Sequence, residues 1–513
     1  MPGPQRAAVQ AETETSRGTA TKRWRLRRWL LLAFLVAWAS VALWHTFKPM
    51  PAGTHVASRW HDVPLADIRL LADRTVANAS GEPVIRQEIF DAVFRIIDRA
   101  EQVVVLDFFL VNDHRGSLGA EQPVHRRLSE ELKRHLLARK RAKPGLRVLF
   151  VSDPINDVYD GAPSRLFAEL RANGVEIVVT DLDRLRDSNW VYSPLWRLLV
   201  SWWAGRGAGP GWLPNPLEGG PSRVTLRSWL ELLNFKANHR KLIAADDGRG
   251  GWVGLVTSAN PHDASSAHSN LALEFRGALA RELMLSEMEI ARFSGWPGDW
   301  KLPAAPPREP AAVPSARLQF LTEGAIQSAL VTALRTAANG ERVSIATFYL
   351  SEREVVEELV AASARGVRVR LILDPNRDAF GRTKDGVPNR PVAAELRRRS
   401  GGRIEVRWYR THGEQFHAKF ALVQRADMVW ALVGSANFTR RNLRDLNLEA
   451  GVAIETDRST PLAQALSTYY ETHWQNDPAA VLEYTTGFPT FEDQSFARYW
   501  RYRLMEATGL STF

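Results

Sequence analysis

The sequence predicts an α/β protein that consists of two similar halves behind one apolar N-terminal helix. Three observations lead to this fold class: two stretches repeat the same order of strand-like and helix-like patterns, a Pro-rich segment separates them, and an uncharged apolar run lies near the N-terminus. An internal repeat constrains the fold more than any single element, because both copies must bury the same faces.

The composition is that of a globular protein with a basic surface. The chain has 513 residues, of which 45% are hydrophobic and 24% are charged, and this length allows two or three domains. The formal net charge of +10 suits phospholipid headgroups, nucleic acid or polyphosphate. An Arg-rich composition without functional meaning explains the charge equally well. The chain contains no cysteine, which excludes disulfides, thiolate metal sites and cysteine nucleophiles.

The N-terminal region predicts a membrane anchor. Residues 1–28 are predicted to be a disordered, basic, cytoplasmic tail, and residues 29–47 form an apolar run long enough to cross a bilayer. The Lys/Arg cluster lies on one flank only, which places the chain after the linker at 48–66 on the far side of the membrane, periplasmic or extracytoplasmic in a bacterium. A cleaved signal peptide and a buried core helix are the alternatives.

The two halves are predicted to be lobes at 67–300 and 316–513, joined by the Pro-rich linker 301–315. Each half has the order strand, helix, strand, helix, strand, which predicts a sheet with helices on its faces. The paired strand-like segments are 103–110 with 343–350, 145–154 with 366–375, and 175–179 with 404–408.

The first half also contains a Trp-rich insertion at about 183–235, just before its histidine motif. Segments in this position usually form the rim of a site. The insertion has few charges, so it is predicted to dip into a membrane surface or line an acyl-chain channel, or else to be a helical lid packed on the domain. The segment 496–503 interleaves aromatic and basic residues, which suits a membrane-surface element or a packed terminal helix.

Each half carries a His-x-Lys tripeptide at the start of a strand-like run, followed by Ser-Ala-Asn and then by Leu-x-Leu-Glu. Because side chains alternate along a strand, the His and the Lys share one face, and the sets from both halves are predicted to meet in one cleft. The predicted site residues are His239, Lys241, Ser258, Asn260 and Glu274 in the first half, and His417, Lys419, Ser435, Asn437 and Glu449 in the second.

This set suits attack on a phosphodiester. Two Lys and two Asn, aided by the Ser hydroxyls, can hold the anionic non-bridging oxygens. A neutral imidazole can attack phosphorus, while a protonated imidazole donates to the leaving alcohol. Each His needs an orienting carboxylate, and Glu274 and Glu449 are the candidates. We expect no metal or other cofactor, since the two Lys supply the positive charge.

The paired motifs resemble those of the phospholipase D superfamily, whose signature is His-x-Lys-x4-Asp followed by Gly-Ser-x-Asn, over about residues 67–480. The resemblance implies two phospholipase D-like α/β lobes, each a mixed sheet flanked by helices, related by pseudo-two-fold symmetry with one active site at the seam. It also implies that His239 is the nucleophile and His417 the acid/base. Asp246 completes the first motif; Gln424 replaces the Asp of the second and is expected to keep a supporting hydrogen bond.

The anchor, the insertion and the basic charge favour a membrane-anchored phospholipase D-type phosphodiesterase or phosphatidyltransferase of the cardiolipin synthase kind, which acts on phospholipids through a phosphohistidine. A nuclease of the same superfamily is the alternative, and a non-catalytic lipid- or phosphate-binding module is the second. The expected partners are a phospholipid membrane and an anionic phosphodiester, with nucleic acid less favoured. The sequence predicts no particular oligomeric state.

Overall fold

Two large mixed sheets, one in each half of the chain and each flanked by helices, form the computed structural model. The structure describes residues 4–513 except 79, 81, 116–123, 203–210, 219–221, 303–314, 380–381 and 477–481, with side chains described from residue 22 onward. The α/β fold with two lobes is confirmed.

The strands, in chain order, are β1 (His61–Pro64), β2 (Ile68–Ala77), β3 (Pro83–Arg86), β4 (Val103–Phe108), β5 (Arg147–Ser152), β6 (Glu176–Val179), β7 (Leu213–Pro214), β8 (Arg223–Val224), β9 (Lys241–Asp246), β10 (Trp252–Thr257), β11 (Asn270–Arg276), β12 (Ser315–Thr322), β13 (Arg342–Thr347), β14 (Arg368–Leu373), β15 (Asp378–Ala379), β16 (Arg382–Thr383), β17 (Glu405–Tyr409), β18 (Lys419–Gln424), β19 (Met428–Gly434), β20 (Ala450–Asp457) and β21 (Thr485–Gly487). The helices are α1 (Pro4–Phe47), α2 (Ile89–Arg99), α3 (Leu128–Ala142), α4 (Arg165–Ala172), α5 (Ser193–Leu195), α6 (Leu226–Leu232), α7 (Ala278–Phe293), α8 (Gly324–Arg335), α9 (Arg353–Ala364), α10 (Asn389–Arg399), α11 (Arg440–Leu443), α12 (Pro461–Gln475) and α13 (Phe496–Thr508).

The two sheets repeat one topology. The first has the order β3-β2-β11-β10-β9-β4-β5-β6, and the second has the order β1-β12-β20-β19-β18-β13-β14-β17-β21. In each, three parallel strands join an antiparallel set at the strand that carries the His-x-Lys motif, β9 or β18. These central strands are covered by helices and fully buried apart from Gln424, which explains their nearly continuous apolar sequence. The repeat therefore places each motif at the start of a central strand of its sheet.

The predicted linker at 48–66 is partly a strand of the second lobe. Strand β1 pairs antiparallel with β12, with His61 opposite Leu318 and Pro64 opposite Ser315. The Nε2 of Gln319 also donates to the carbonyl of Ser58 at 2.6 Å. A pairing between segments so far apart in the chain leaves no local signal in the sequence.

Helix α1 begins earlier than predicted. It runs through most of the segment expected to be disordered, 1–28, because Ala, Glu, Gln and Arg in that segment are good helix formers. Its part Lys22–Phe47 is long and apolar enough to cross a membrane, judged by length and composition alone. Only 6% of its most apolar window is buried, unlike the core helix of a soluble protein. The Pro-rich linker lies largely in 303–314, outside the described residues.

The Trp-rich insertion packs against the C-terminal half of α1. It contains α5, a π-turn over Trp196–Val200, the β7–β8 hairpin and α6; its residues 203–210 and 219–221 lie outside the described part. The Nε1 of Trp38 donates to the carbonyl of Val191 at 3.2 Å, and the rings of Trp38 and Trp190 are 6.0 Å apart. The insertion thus contacts both the helix and, as described below, the cleft.

Candidate functional site

The two histidine motifs lie at the seam between the lobes, where each is fixed by backbone bonds to the opposite lobe. The backbone N–H of His239 donates to the carbonyl of Leu448 at 2.9 Å, and that of His417 donates to Ser269 at 2.8 Å. Both imidazoles line one cleft of about 630 Å³. The predicted shared cleft therefore exists, and each lobe positions the histidine of the other.

Glu449 is the carboxylate that orients His239. Its Oε1 lies 2.7 Å from the Nδ1 of His239, and Glu449 is fully buried. The hydroxyl of Ser435 and the side-chain amide of Asn442 also donate to this carboxylate. A carboxylate on Nδ1 selects the tautomer whose Nε2 lone pair is free to act, here towards the cleft.

Glu274 does not reach the site, and its assignment as an orienting carboxylate is corrected. It lies within β11 opposite Leu255, where its carboxylate accepts a hydrogen bond from Arg69 at 3.3 Å. The position that matches Glu449 is Asn270, which directly follows the bridging residue Ser269 just as Glu449 follows Leu448. The Oδ1 of Asn270 lies 3.2 Å from the Nδ1 of His417. The carbonyl oxygen of Ser258 lies 3.0 Å from the same Nδ1. The two histidines therefore have different partners: a carboxylate for His239 and two neutral acceptors for His417.

The two Ser hydroxyls hold these partners rather than facing a substrate phosphate. The Oγ of Ser258 donates to the Oδ1 of Asn270 at 2.9 Å, and the Oγ of Ser435 donates to Glu449. The Oγ of Ser258 also accepts the backbone N–H of Leu271 at 3.1 Å, and the Oγ of Ser435 accepts that of Ala450 at 3.0 Å. The predicted role of Ser258 and Ser435 in phosphate binding is thus replaced by an orienting role.

The two Lys side chains lie at the base of the cleft. The Nζ of Lys241 donates to the carbonyl of His239 at 2.7 Å, and that of Lys419 donates to the carbonyl of His417 at 2.6 Å. Each ammonium keeps two further hydrogens. Burial lowers the pKa of Lys241 to about 7, opposed by Glu449, while burial and the nearby Lys241 lower the pKa of Lys419 well below its usual range. Two close ammonium groups of this kind favour an anion between them.

The two Asn side chains predicted to bind phosphate also line the cleft. Asn260 accepts the backbone N–H of Leu110 through its Oδ1 at 3.2 Å, which turns its amide nitrogen away from that contact. The Oδ1 of Asn437 is buried and has no hydrogen-bond partner among the described residues. Both amides therefore have hydrogen-bonding capacity left for a ligand in the cleft, Asn260 as a donor through Nδ2 and Asn437 as an acceptor through Oδ1.

Both imidazoles are neutral near pH 7. Burial lowers the pKa of His239 to about 4, with Glu449 opposing the shift. Burial, followed by the positive charge of Lys419, lowers the pKa of His417 well below its ordinary value. A neutral imidazole is the nucleophilic form, and an anionic ligand beside His417 would raise its pKa towards the range of a general acid.

Two Asp residues, one in each of the paired segments 145–154 and 366–375, hold the two histidine motifs in place. Asp153 follows β5 and accepts the backbone N–H of Asn238, next to His239, at 2.6 Å. Asp374 follows β14 and accepts the N–H of Phe416, next to His417, at 2.8 Å. Their matched places in the two halves were the signal for this role.

The middle residue of the first motif, Arg240, is a buried clamp between the lobes. Its guanidinium pairs with Glu287 and Glu323, each at 2.7 Å, and all three side chains are fully buried. Glu323 belongs to the second lobe and accepts the backbone N–H of Glu449 at 3.0 Å. Arg240 therefore connects the first motif to the orienting carboxylate.

Asp246 and Gln424 lie at the far ends of their strands. The carboxylate of Asp246 accepts the backbone N–H groups of Glu101, Gln102 and Val103 at 2.9, 2.8 and 2.8 Å. Gln424 instead donates to the hydroxyl of Ser467 at 3.1 Å. Gln424 lies five positions after Lys419 on β18, which corresponds to about 17 Å along a strand. Gln424 keeps a hydrogen bond, although to a different partner, and lies far from the cleft.

The walls of the cleft differ in polarity. One wall comes from the insertion and is apolar, with Pro216, Leu217, Trp229 and Leu232. Another part of the lining comes from the β15–β16 hairpin and its surroundings in the second lobe and is basic and polar, with Arg382, Thr383, Lys384 and Tyr349. The cleft is therefore amphiphilic, and both histidines line it.

Comparison with known proteins gives a consistent picture. A family model described as "Cardiolipin synthase, PLD-like domain" matches residues 330–474. Cardiolipin synthase A of Pseudomonas aeruginosa is 26% identical over 410 residues, which cover 75% of this chain and 65% of that protein, so the match spans just under two thirds of its length. Among solved structures, phosphatidylserine synthase of Haemophilus influenzae Rd KW20 superposes with a TM-score of 0.54 at 11% identity, covering 88% of this chain and 96% of that one.

Proposed function

Since this chain belongs to the phospholipase D superfamily, we propose that it is a membrane-anchored phosphodiesterase or phosphatidyltransferase that acts on phospholipids. The observation that carries the proposal is the amphiphilic cleft around His239 and His417. A phospholipid has an apolar diacylglycerol part and a polar headgroup on either side of its phosphodiester. The apolar wall suits the first part and the basic wall the second, whereas the backbone of a nucleic acid has no large apolar part to bury.

In the first step, the Nε2 of His239 attacks phosphorus. The bond between phosphorus and the oxygen of the leaving alcohol breaks, and protonated His417 donates a proton to that oxygen. The product is a phosphohistidine on His239 and a free alcohol. Glu449 stabilises the positive charge that develops on the imidazole, because its carboxylate lies 2.7 Å from Nδ1.

In the second step, His417 acts as a base. It removes a proton from water or from an acceptor alcohol, whose oxygen attacks phosphorus while the phosphorus–nitrogen bond breaks. Water yields hydrolysis, and an alcohol yields headgroup transfer. Throughout, Lys241, Lys419 and the amides of Asn260 and Asn437 hold the non-bridging oxygens.

The anchor supports a lipid substrate. Helix α1 contains the segment Lys22–Phe47 that is long enough to cross a bilayer, with the Lys/Arg cluster on its N-terminal side. By the distribution of basic residues, the N-terminus lies in the cytoplasm and the two lobes lie on the opposite side. The substrate and the enzyme would then share the same membrane.

The test uses the full chain in vesicles that contain phosphatidylglycerol, with and without added glycerol, and identifies lipid products by mass spectrometry. We expect headgroup release or exchange in the wild type and a loss of at least about 10³-fold in His239→Ala and in His417→Ala. His135→Ala is the matched control, because this histidine lies on α3 and pairs with Asp98 away from the cleft.

Three outcomes contradict the proposal. Cleavage of DNA without any lipid turnover would indicate a nuclease. Tight lipid binding without turnover of either substrate, unaffected by both histidine substitutions, would indicate a binding module. Lipid turnover that survives His239→Ala would place the chemistry elsewhere.

A further inference from the structure

The Trp-rich insertion carries apolar side chains on its outer surface as well as in the cleft. Leu199, Trp202 and Trp212 are 50%, 74% and 71% exposed, and we call these three residues the docking surface. The Nε1 of Trp202 already donates to the carbonyl of Leu198 at 2.9 Å, so its indole can enter an apolar medium without leaving that donor unpaired. Exposed large apolar side chains of this kind indicate a binding surface.

The contacts with α1 fix the height of the insertion relative to a membrane. Trp190 and Val191 contact Trp38, whereas the N–H of Asp187 donates to the carbonyl of His45 at 2.8 Å. The insertion thus follows α1 from Trp38 to its C-terminal end. Asp187 therefore lies level with the C-terminal end of α1, and Trp190 lies about two helical turns further towards the N-terminal end.

The length of the anchor then places the aromatic part inside the lipid. About 20 helical residues cross the hydrocarbon region. If that region begins at Trp29, directly after the last basic residue, Trp38 lies near its middle. If it begins at Trp24, twenty residues end at Leu43, and Trp38 still lies about 8 Å below the surface. In both registers the protein around Trp190 lies at the depth of the lipid.

We propose that the docking surface is embedded in the leaflet that receives the C-terminal end of α1, so that a phospholipid enters the cleft from the bilayer. The occupant is the lipid bilayer itself, because the insertion that carries the surface packs along the part of α1 that is long enough to cross a bilayer. The same insertion supplies Trp229 and Leu232 to the apolar wall of the cleft, which provides an apolar route from leaflet to site. This inference rests on the proposed membrane-anchored function and specifies how the substrate arrives.

Charges close to the docking surface are paired within the protein, which lowers the cost of bringing them near lipid. Arg197 pairs with Asp187 at 2.9 Å, and Lys236 pairs with the same carboxylate at 3.0 Å. Asp187 is 1% exposed by side chain. Burial of unpaired charge at this depth would oppose the arrangement, whereas these pairs are satisfied before any lipid is present.

The absence of cysteine from the chain makes a direct test possible. Single variants Trp202→Cys and Trp212→Cys carry an environment-sensitive fluorophore in full-length protein reconstituted into phosphatidylglycerol vesicles. Arg141→Cys is the control, since Arg141 is exposed on α3, which packs mainly against α2 and α4 of the first lobe.

We expect nitroxides on the lipid acyl chains to quench the label at 202 and 212, and aqueous iodide to quench the label at 141. Quenching of the labels at 202 and 212 by iodide and not by the lipid nitroxides would overturn the proposal. This readout needs no catalysis, so it stands apart from the proposed activity.

A second measurement links the surface to turnover. Trp202→Ser should lower kcat/KM on vesicles about tenfold, in line with the removal of one large apolar contact. The same variant should leave kcat/KM on a dissolved short-chain phosphatidylglycerol within about twofold. Equal losses on both substrates would indicate a damaged fold rather than a lost membrane contact, and no loss on vesicles would contradict the inference. Absence of turnover by the wild type on both substrates would instead refute the proposed function.

Discussion

The unequal partners of the two histidines lead to a sharp prediction for Glu449→Gln. This change keeps the size of the side chain and removes one negative charge. The amide oxygen can still accept the Nδ1 proton of His239, and its nitrogen can donate to Ser435, whose hydroxyl now acts as acceptor. The orientation of His239 should therefore persist, while the stabilisation of its positive charge is lost.

The size of the loss follows from the geometry. The carboxylate lies 2.7 Å from Nδ1, which places the two charge centres about 4 Å apart. At the effective dielectric constant of protein interiors, such a pair interacts by about 4 kcal/mol. The amide dipole retains part of this, which leaves a loss of about 3 kcal/mol, or roughly a hundredfold in the rate of phosphohistidine formation.

The assay uses a dissolved phosphodiester with a p-nitrophenol leaving group, followed as the burst of the first turnover. Because p-nitrophenolate needs no proton to depart, Asn270→Ala, the matched change beside His417, should reduce the burst rate less than tenfold. Quenching in alkaline denaturant, which preserves the acid-labile phosphorus–nitrogen bond, followed by peptide mass spectrometry should locate the phosphoryl group on His239. A burst rate within threefold of the wild type in Glu449→Gln, or a phosphoryl group on His417, would refute the assigned roles.

Three further predictions follow from the same geometry. Arg240→Met leaves Glu287 and Glu323 buried without their cation and should reduce the free energy of unfolding by about 3–5 kcal/mol in chemical denaturation. Arg184→Met, at the exposed pair with Asp181, should cost less than about 1 kcal/mol; equal effects would contradict the clamp. Gln424→Asp should leave kcat within about twofold of the wild type because Gln424 lies far from the cleft, and a large change in kcat would contradict that position. Asp246→Ala leaves three backbone N–H groups without an acceptor and should lower the free energy of unfolding by at least about 2 kcal/mol. Lys241 bears its charge below its pKa of about 7 and loses the charge above it, so kcat/KM for a dissolved anionic diester should fall as pH rises through about 7. Lys241→Arg should remove this fall, because Arg stays charged. A fall that persists at the same pH in Lys241→Arg would have to come from another group.

The placement of the two His–Lys pairs at one cleft could be predicted because the pattern that carries it is local in sequence. His and Lys two residues apart on a strand share a face wherever the strand lies, and the duplication of the motif removed chance as an explanation. The repeat also predicted the two sheets, since strand and helix patterns recur in the same order. For these features the sequence pattern and the fold carry the same information.

The partner of His417 could not be predicted in this way. The letters Leu-x-Leu-Glu occur in both halves, yet Glu274 lies four residues further along its strand than the residue that matches Glu449. The bridge between Ser269 and Phe416, which spans the two lobes, decides which residue faces the imidazole. A register between distant segments depends on the packed structure and leaves no trace in local spacing.

The early start of α1 and the role of the Ser hydroxyls were also not predictable from local sequence patterns. A polar segment of good helix formers has no apolar periodicity to reveal it, although an adjoining apolar helix removes the cost of nucleation. Ser258 and Ser435 follow their strands as predicted, but their hydroxyls donate to Asn270 and Glu449 of their own lobes instead of facing the cleft as phosphate ligands. Composition and spacing identified these residues, and only the hydrogen-bond network determined what they do.

The position of β1 has a consequence for how the chain acquires its structure. This strand leaves the ribosome before almost all of both lobes, yet its partner β12 begins only at Ser315. With about 250 residues between them and synthesis at roughly 5–20 residues per second, β1 waits about 13–50 s for its partner. The first lobe can form its own sheet during that interval, whereas the second stays open at one edge until the early strand docks. The segment that follows α1 is thus made first and completes a sheet that is made last.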